Sequence, residues 1–205
     1  MKYTLNTAYA KEADSGSAMI RESGAYIGIF TVAKAITANS GAKGIEFTFK
    51  SNEGQEANYL TLYTHNKDGD EIFGLKQLNS LMTCLKLREI DSANQRINAY
   101  DAATRGMMET NATVFPALMG KPVGVVLQAE EYFKRDGSVG NRMAMVRFFD
   151  AKTTQTASEI LADSEPKNLD MLLATLKDKK LPPLQRQAAP MAAGTDNFAD
   201  ADIPF

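Results

Sequence analysis

Two tyrosines in the segment 57–64 have a spacing that suits the recognition of flat, aromatic ligands. Tyr59 and Tyr63 alternate there with two leucines. Successive residues of a β-strand point to opposite faces, so we expect the tyrosines on one face and the leucines on the other. If the leucines are buried, the tyrosine rings are available to stack on nucleic-acid bases. Half-buried packing with a solvated hydroxyl is the alternative role for a strand tyrosine.

Aromatic and cationic side chains are interleaved at 132–135, where the sequence reads Tyr-Phe-Lys-Arg. Stacking on bases combined with neutralisation of phosphates is the chemistry of single-strand binding. A solvated hairpin tip is the alternative interpretation, because an Asp-Gly turn signal follows at once. The candidate residues for binding single-stranded DNA are Tyr59, Tyr63, Lys43, Lys50, Tyr132, Lys134, Arg135, Arg142 and Arg147.

Residues for catalysis or metal binding are scarce in this sequence. His65 and Cys84 are the only histidine and cysteine, too few for a His/Cys metal site. Phosphate-binding loops, nucleophile elbows and dinucleotide fingerprints are also missing from the sequence. We therefore expect a protein that is not an enzyme and has no cofactor or metal, with His65 in a turn and Cys84 in packing. A lone cysteine is compatible with the reducing cytoplasm.

The positions of these residues depend on strands that the hydrophobic pattern predicts. Residues 24–36 are β-branched and aromatic, with Gly28 as a possible kink, and 45–50 and 57–64 alternate apolar and polar side chains. Leucines at helical spacing predict a helix over 75–85. The stretch 89–119 has no clear period and is expected to be mostly loop, with a short extended piece at 112–115. Residues 123–133 and 143–149 then form a hairpin.

The predicted order is strand, strand, strand, helix, strand, strand. This is the order of a five-stranded OB-type β-barrel with a helix between the third and fourth strands, so the expected fold is mainly β. Leucines at 169, 172, 173 and 176 predict an amphipathic helix, and a lysine cluster marks its end. We expect this helix to fold back on the barrel or on a second subunit. The predicted units are an N-terminal arm (1–23), the OB domain (24–150), a C-terminal extension (151–181) and a flexible linker with an acidic tip (182–205).

The charge of the chain is unevenly distributed. The net charge is −2, and residues 191–205 hold three aspartates without a lysine or arginine. Removing those three negative charges leaves +1 for the rest, so DNA binding requires local clusters of cations. No apolar run approaches the about 20 residues that a membrane-spanning helix needs, and we expect no membrane association.

The final residues, Asp202-Ile203-Pro204-Phe205, with Asp200 and Asp196 before them, resemble the C-terminal tip of bacterial single-stranded DNA-binding proteins. That family joins an OB domain to a Gly/Pro/Gln-rich linker and an acidic tip ending in Ile-Pro-Phe. The barrel looks more like that of the divergent single-stranded DNA-binding proteins of bacteriophages. Three features depart from the family pattern: Ala199 and Ala201 interrupt the aspartates, the chain has no tryptophan, and an amphipathic helix lies between barrel and linker.

The resemblance implies a protein that coats single-stranded DNA in replication, recombination and repair. It also implies that Asp200, Asp202, Ile203, Pro204 and Phe205 recruit partner proteins, in the cytoplasm of the host if a phage encodes the chain. Phe205 carries a large apolar side chain and the terminal carboxylate, which suit an apolar pocket rimmed by cations. The alternative is an OB-fold adaptor that acts through protein contacts and binds nucleic acid weakly. Homo-oligomers fit either function.

Overall fold

The structure is a computed structural model that describes residues 4, 5, 7, 19–101, 106–134 and 136–182. It is mainly β, with an open antiparallel sheet of seven strands and few helices. The strands are β1 Gly24–Thr37, β2 Lys43–Ser51, β3 Glu56–His65, β4 Ala93–Asp101, β5 Gly106–Val114, β6 Pro122–Phe133 and β7 Val139–Phe149. The α-helices are α1 Phe73–Cys84, α2 Ala157–Ala162 and α3 Asn168–Thr175, and a 3-10 turn spans Pro116–Leu118.

Strand β1 organises the sheet because both of its edges are paired. One edge pairs with β2 over residues 28–37, and the other pairs with β6 over residues 24–29. Gly28 belongs to both ladders, and a Cβ atom there would lie 2.0 Å from the carbonyl oxygen of Lys50. Glycine therefore permits the close approach of β2, while the register shift of β1 falls further along, between Phe30 and Val32.

The main hydrophobic core is rich in phenylalanine. Phe30, Phe47, Phe49 and Phe148 are fully buried, with the rings of Phe30 and Phe47 4.6 Å apart. Burial of Leu60 confirms the predicted inner face of β3. Tightly packed aromatic rings of this kind provide most of the apolar burial that stabilises a small β-domain.

The predicted helix between the third and fourth strands is confirmed as α1. Leu78, Leu81 and Cys84 are buried and face the core. The helix begins at Phe73, earlier than predicted, and includes Gly74. A Cβ atom on Gly74 would lie 1.8 Å from the carbonyl oxygen of Tyr63, so the absence of a side chain lets the first turn contact β3.

The expectation of a mostly loop-like segment at 89–119, and with it the count of five strands, is wrong. Strands β4 and β5 form an antiparallel hairpin there, and β5 touches β1 through the pair Lys34 and Val114. Ile97 and Val114 are the buried residues of this hairpin, counting only side chains that the structure describes. A ribbon held by backbone hydrogen bonds over most of its length needs no alternating apolar face, so the hydrophobic pattern could not reveal it.

The second hairpin is confirmed, but its return strand begins at Val139 rather than at 143. Gly137 has a φ of 79°, which the Asp-Gly turn signal predicts. The Asp136 carboxylate accepts hydrogen bonds from the Ser138 backbone N–H and hydroxyl at 2.9 and 2.7 Å. These bonds lower the pKa of Asp136 and keep it a charged acceptor in the turn.

The leucine stripe of α3 packs back onto the sheet, as predicted. Leu169 forms a second apolar cluster with Val126 of β6 and Phe149 of β7. The lysine cluster does not end the helix, because α3 stops at Thr175. The cluster continues instead as an extended segment, in which Lys179 bridges to Glu130 beside β6.

The acidic tip, most of the N-terminal arm and nearly all of the linker lie outside the described residues. From the arm, Ile20 packs in the core with 3% exposure. No helix in the described part of the chain is long and apolar enough to span a membrane.

Candidate nucleic-acid interface

A cleft with a volume of about 670 Å³ lies between β3 and the β6–β7 hairpin. We call it the tyrosine cleft, because Tyr59 lines one wall and Tyr132 the other. Residues 19–21 extend the wall on the β3 side, and residues 178–180 extend the wall on the β6 side. Four cationic side chains line it against two carboxylates: Arg21, Arg142, Lys179 and Lys180, against Glu131 and Asp178.

Tyr59 lies at a distortion of β3. Between the pairs Phe47–Leu60 and Phe49–Ala57 the register shifts, which places two residues of β3 opposite one residue of β2. Tyr59 takes a left-handed conformation with φ of 58°, and it is 63% exposed. A bulky residue in this region is strained, and such strain clusters at functional sites.

The ring of Tyr132 packs closely against β7, because its cross-strand neighbour Gly140 has no side chain. A Cβ atom on its cross-strand partner Gly140 would lie 2.9 Å from two carbons of the tyrosine ring. The guanidinium carbon of Arg142 lies 5.8 Å from the centre of the same ring, a cation–π distance. Tyr132 is 37% exposed, so one wall of the cleft presents a partly exposed, oriented aromatic ring.

Two of the cations predicted from the sequence, Arg142 and Lys50, are already paired. Glu130 accepts hydrogen bonds from Nε and Nη2 of Arg142 at 3.1 and 2.9 Å, and its other oxygen lies 3.6 Å from the ammonium of Lys179. Lys50 lies 3.5 Å from Glu56. Because the Glu130 side chain is only 12% exposed, solvent screens its ion pairs less than a surface pair. A phosphate must compete with that carboxylate for Arg142.

The other predicted residues lie apart from the tyrosine cleft. Lys43 lines a smaller, apolar cavity at the other end of β2, near His65. Tyr63 is 38% exposed on the same face of β3 as Tyr59. Arg147 is exposed on β7 opposite Val126, whose side chain belongs to the cluster with α3.

Lys134 lies at the tip of the β6–β7 hairpin. Its Cε atom is 3.0 Å from the position that a Cβ atom of Gly140 would take, and the Tyr132 ring borders the same position. The Lys134 side chain therefore passes close to the Tyr132 ring. Arg135 and the tip residues Asp200, Asp202, Ile203, Pro204 and Phe205 fall outside the residues that the structure describes.

Sequence reasoning missed Arg21 and Lys180, which line the cleft from segments outside the seven strands. The lysine cluster at 177–180 is visible in the sequence, but its position after a leucine stripe indicates the end of a helix. No periodic pattern marks Arg21, because its segment is not one of the strands and pairs with the sheet through an isolated bridge between Met19 and Glu56.

Cys84 has no role in this interface. It is buried, and burial followed by the charge of Asp150 raises the pKa of its thiol to about 12. The thiol therefore stays protonated and acts as a small apolar side chain. Groups of three or more potential metal ligands do not occur among the described residues.

Comparison with known protein families found no match to this chain, and comparison with curated proteins found none either.

Proposed function

We propose that the protein binds single-stranded DNA in the tyrosine cleft, without strong sequence preference, during replication or recombination. The supporting observation is the meeting of Tyr59 and Tyr132 in one cleft whose charged lining is mostly cationic. Every base has a π-face, so two tyrosines accept any sequence, and each stacked base contributes about 1–3 kcal/mol.

The strand pairing is consistent with an OB-type barrel, which we propose as the fold of the binding domain. Strand β1 pairs with β2 on one edge and β6 on the other, β6 pairs with β7, and α1 follows β3. In this reading β1, β2, β3, β6 and β7 are the five barrel strands, and the β4–β5 hairpin is an insertion. Residues of β3 and of the β6–β7 hairpin line the tyrosine cleft. In the proposed barrel these correspond to the third strand and to the hairpin of the fourth and fifth strands, parts of the OB fold that take part in oligonucleotide binding.

The C-terminal tip is proposed to recruit replication, recombination or repair proteins. This part rests on the resemblance of Asp202-Ile203-Pro204-Phe205 to the tip of bacterial single-stranded DNA-binding proteins. A short apolar segment with flanking aspartates fits a partner pocket that is apolar with a cationic rim.

A second candidate function is an adaptor that binds partners but has little affinity for nucleic acid. The observation in its favour is Glu130, which holds both Arg142 and Lys179 and so reduces the positive charge available to phosphates. The two functions differ in one measurable quantity, the affinity of the cleft for single strands at low salt.

The deciding experiment is a titration of a fluorescently labelled oligo-dT with the full chain at several salt concentrations, read by anisotropy. Tyr59→Ala and Tyr132→Ala are each expected to weaken binding by about 5- to 150-fold, the loss of one stack. Phe73→Ala is the matched control, because Phe73 is an exposed aromatic of α1 outside the cleft.

The wild-type affinity should also fall linearly in a plot of log K against log salt. Absence of binding at low salt would leave the adaptor as the function. If Phe73→Ala weakens binding as much as the two cleft variants do, the tyrosine cleft is not the binding site.

A further inference from the structure

Two cations of the tyrosine cleft differ from the others in having no acidic partner among the residues that the structure describes. Arg142 and Lys179 share Glu130, whereas Arg21 and Lys180 have no carboxylate within ion-pair distance among the described residues. Both are exposed side chains that line the cleft. Their charge is available to a ligand without the cost of breaking an existing ion pair.

The segments that carry these two cations are fixed to the sheet by backbone hydrogen bonds. Next to Arg21, the backbone N–H of Ile20 donates to the carbonyl oxygen of Glu56 at 2.8 Å. Next to Lys180, the N–H of Lys179 donates to Ala129 at 2.8 Å, and its carbonyl oxygen accepts from Glu131 at 2.9 Å.

A side-chain hydrogen bond joins the two segments directly. The Ser23 hydroxyl donates to the Asp178 carboxylate at 2.6 Å, and the same hydroxyl oxygen accepts from the backbone N–H of Ala129 at 2.8 Å. Arg21 precedes Ser23 by two residues and Lys180 follows Asp178 by two residues. The pair is therefore positioned by the fold, although neither residue belongs to one of the seven strands.

We propose that Arg21 and Lys180 are the principal phosphate-binding residues of the tyrosine cleft, with Tyr59 and Tyr132 stacking the bases. This inference rests on the proposed function and assigns its phosphate contacts. It makes residues 19–21 and 178–180 parts of the binding site, so the OB-type strands alone do not complete it.

The experiment measures the salt dependence of oligo-dT binding for the full chain and for the Arg21→Ala, Lys180→Ala and double variants. Each phosphate contact adds about 0.7 to the slope of log K against log salt for a single strand. Each single variant should lower the slope by about 0.7. If the variant and the wild type bind equally at about 1 M salt, this change in slope weakens binding about fivefold at about 0.1 M. The double variant should lose about 25-fold.

Lys177→Ala and Lys76→Ala are the matched controls. Both remove one exposed positive charge, the first on the same segment as Lys180 and the second on α1, and neither residue lines the cleft. They should leave the slope unchanged, and thermal unfolding of every variant should show that all are folded at the assay temperature.

The outcomes separate this inference from the function on which it rests. If the wild type does not bind oligo-dT at low salt, the proposed function fails. If the wild type binds but the double variant keeps the same slope, the assignment of Arg21 and Lys180 is overturned and the function stands. If the control variants lower the slope as much as the cleft variants do, the assignment is also overturned. The change in slope would then depend on net charge alone.

Discussion

Replacing Glu159 with glutamine tests how the C-terminal extension is held together. The Glu159 carboxylate is 4% exposed and joins the beginnings of α2 and α3. One oxygen accepts hydrogen bonds from the backbone N–H and hydroxyl of Thr156 at 2.8 and 2.7 Å. The other accepts from the N–H groups of Lys167 and Asn168 at 2.6 and 2.7 Å. An amide offers only one oxygen, so its NH₂ group would face donors.

The magnitude follows from the pKa of this carboxyl. Burial raises it, but the N–H groups of Lys167, Asn168 and Thr156 and the Thr156 hydroxyl together lower it from 4.5 to about 2. With about 1.4 kcal/mol for each pKa unit, the charged form contributes at most about 3 kcal/mol to the free energy of unfolding. Because the folded-state pKa is below that of the unfolded chain, this contribution is complete above about pH 4.5 and decreases as the pH falls towards 2.

The assay is urea unfolding of the wild type, Glu159→Gln and the control Glu165→Gln at pH 7, 5 and 3. Glu165 is an exposed carboxylate in the connection between the same two helices. At pH 7 the Glu159 variant should be less stable by about 2–3 kcal/mol. The difference should shrink at pH 3, because the carboxyl of the unfolded wild type takes up a proton below about pH 4.5 while that of the folded form stays charged. A difference that is the same at all three pH values would refute the stabilising role of the charge.

Three further predictions concern the strained tyrosine, the start of α1 and the tail. Tyr59→Asn should raise the free energy of unfolding by up to about 1 kcal/mol, because asparagine tolerates positive φ, while weakening oligo-dT binding; a less stable variant would contradict the strain. Gly74→Ala should lower that free energy by about 1–3 kcal/mol in urea, because the new methyl group meets the Tyr63 carbonyl; an unchanged midpoint would refute the contact. Deleting residues 191–205 should abolish partner pull-down. It should keep or tighten oligo-dT binding, because three aspartates that compete for cations are removed. Weaker oligo-dT binding, measured by anisotropy, would count against this competition.

The parts of the fold that were predictable are those whose burial leaves a mark on local sequence. Phe47 and Phe49 alternate with polar residues because one face of β2 meets the core, and both are fully buried. The leucines of α1 repeat at helical spacing for the same reason. The β4–β5 hairpin left no such mark, since most of its described side chains are exposed.

The tyrosine cleft was predictable only in its aromatic part. Tyr59 and Tyr132 could be identified because each lies in a strand with a clear pattern, although the register shift beside Tyr59 and its left-handed conformation could not. The partners of the cations depend on contacts between distant residues: Glu130 and Lys179 are 49 positions apart in the sequence. Local patterns carry no information on such pairs, so whether a cation is neutralised becomes visible only in the folded chain.

The β4–β5 hairpin leaves the rest of the sheet and returns to it at one place. Its first residue, Ala93, pairs with its last, Val114, so the chain enters and leaves the ribbon about 5 Å apart. Closing that gap with a short turn would cost little loop entropy and would leave the pairing of β1 with β2 and β6 in place. The hairpin is therefore a position where evolution can lengthen, shorten or exchange a module without redesigning the core, and where length differences between relatives of this protein are expected to concentrate.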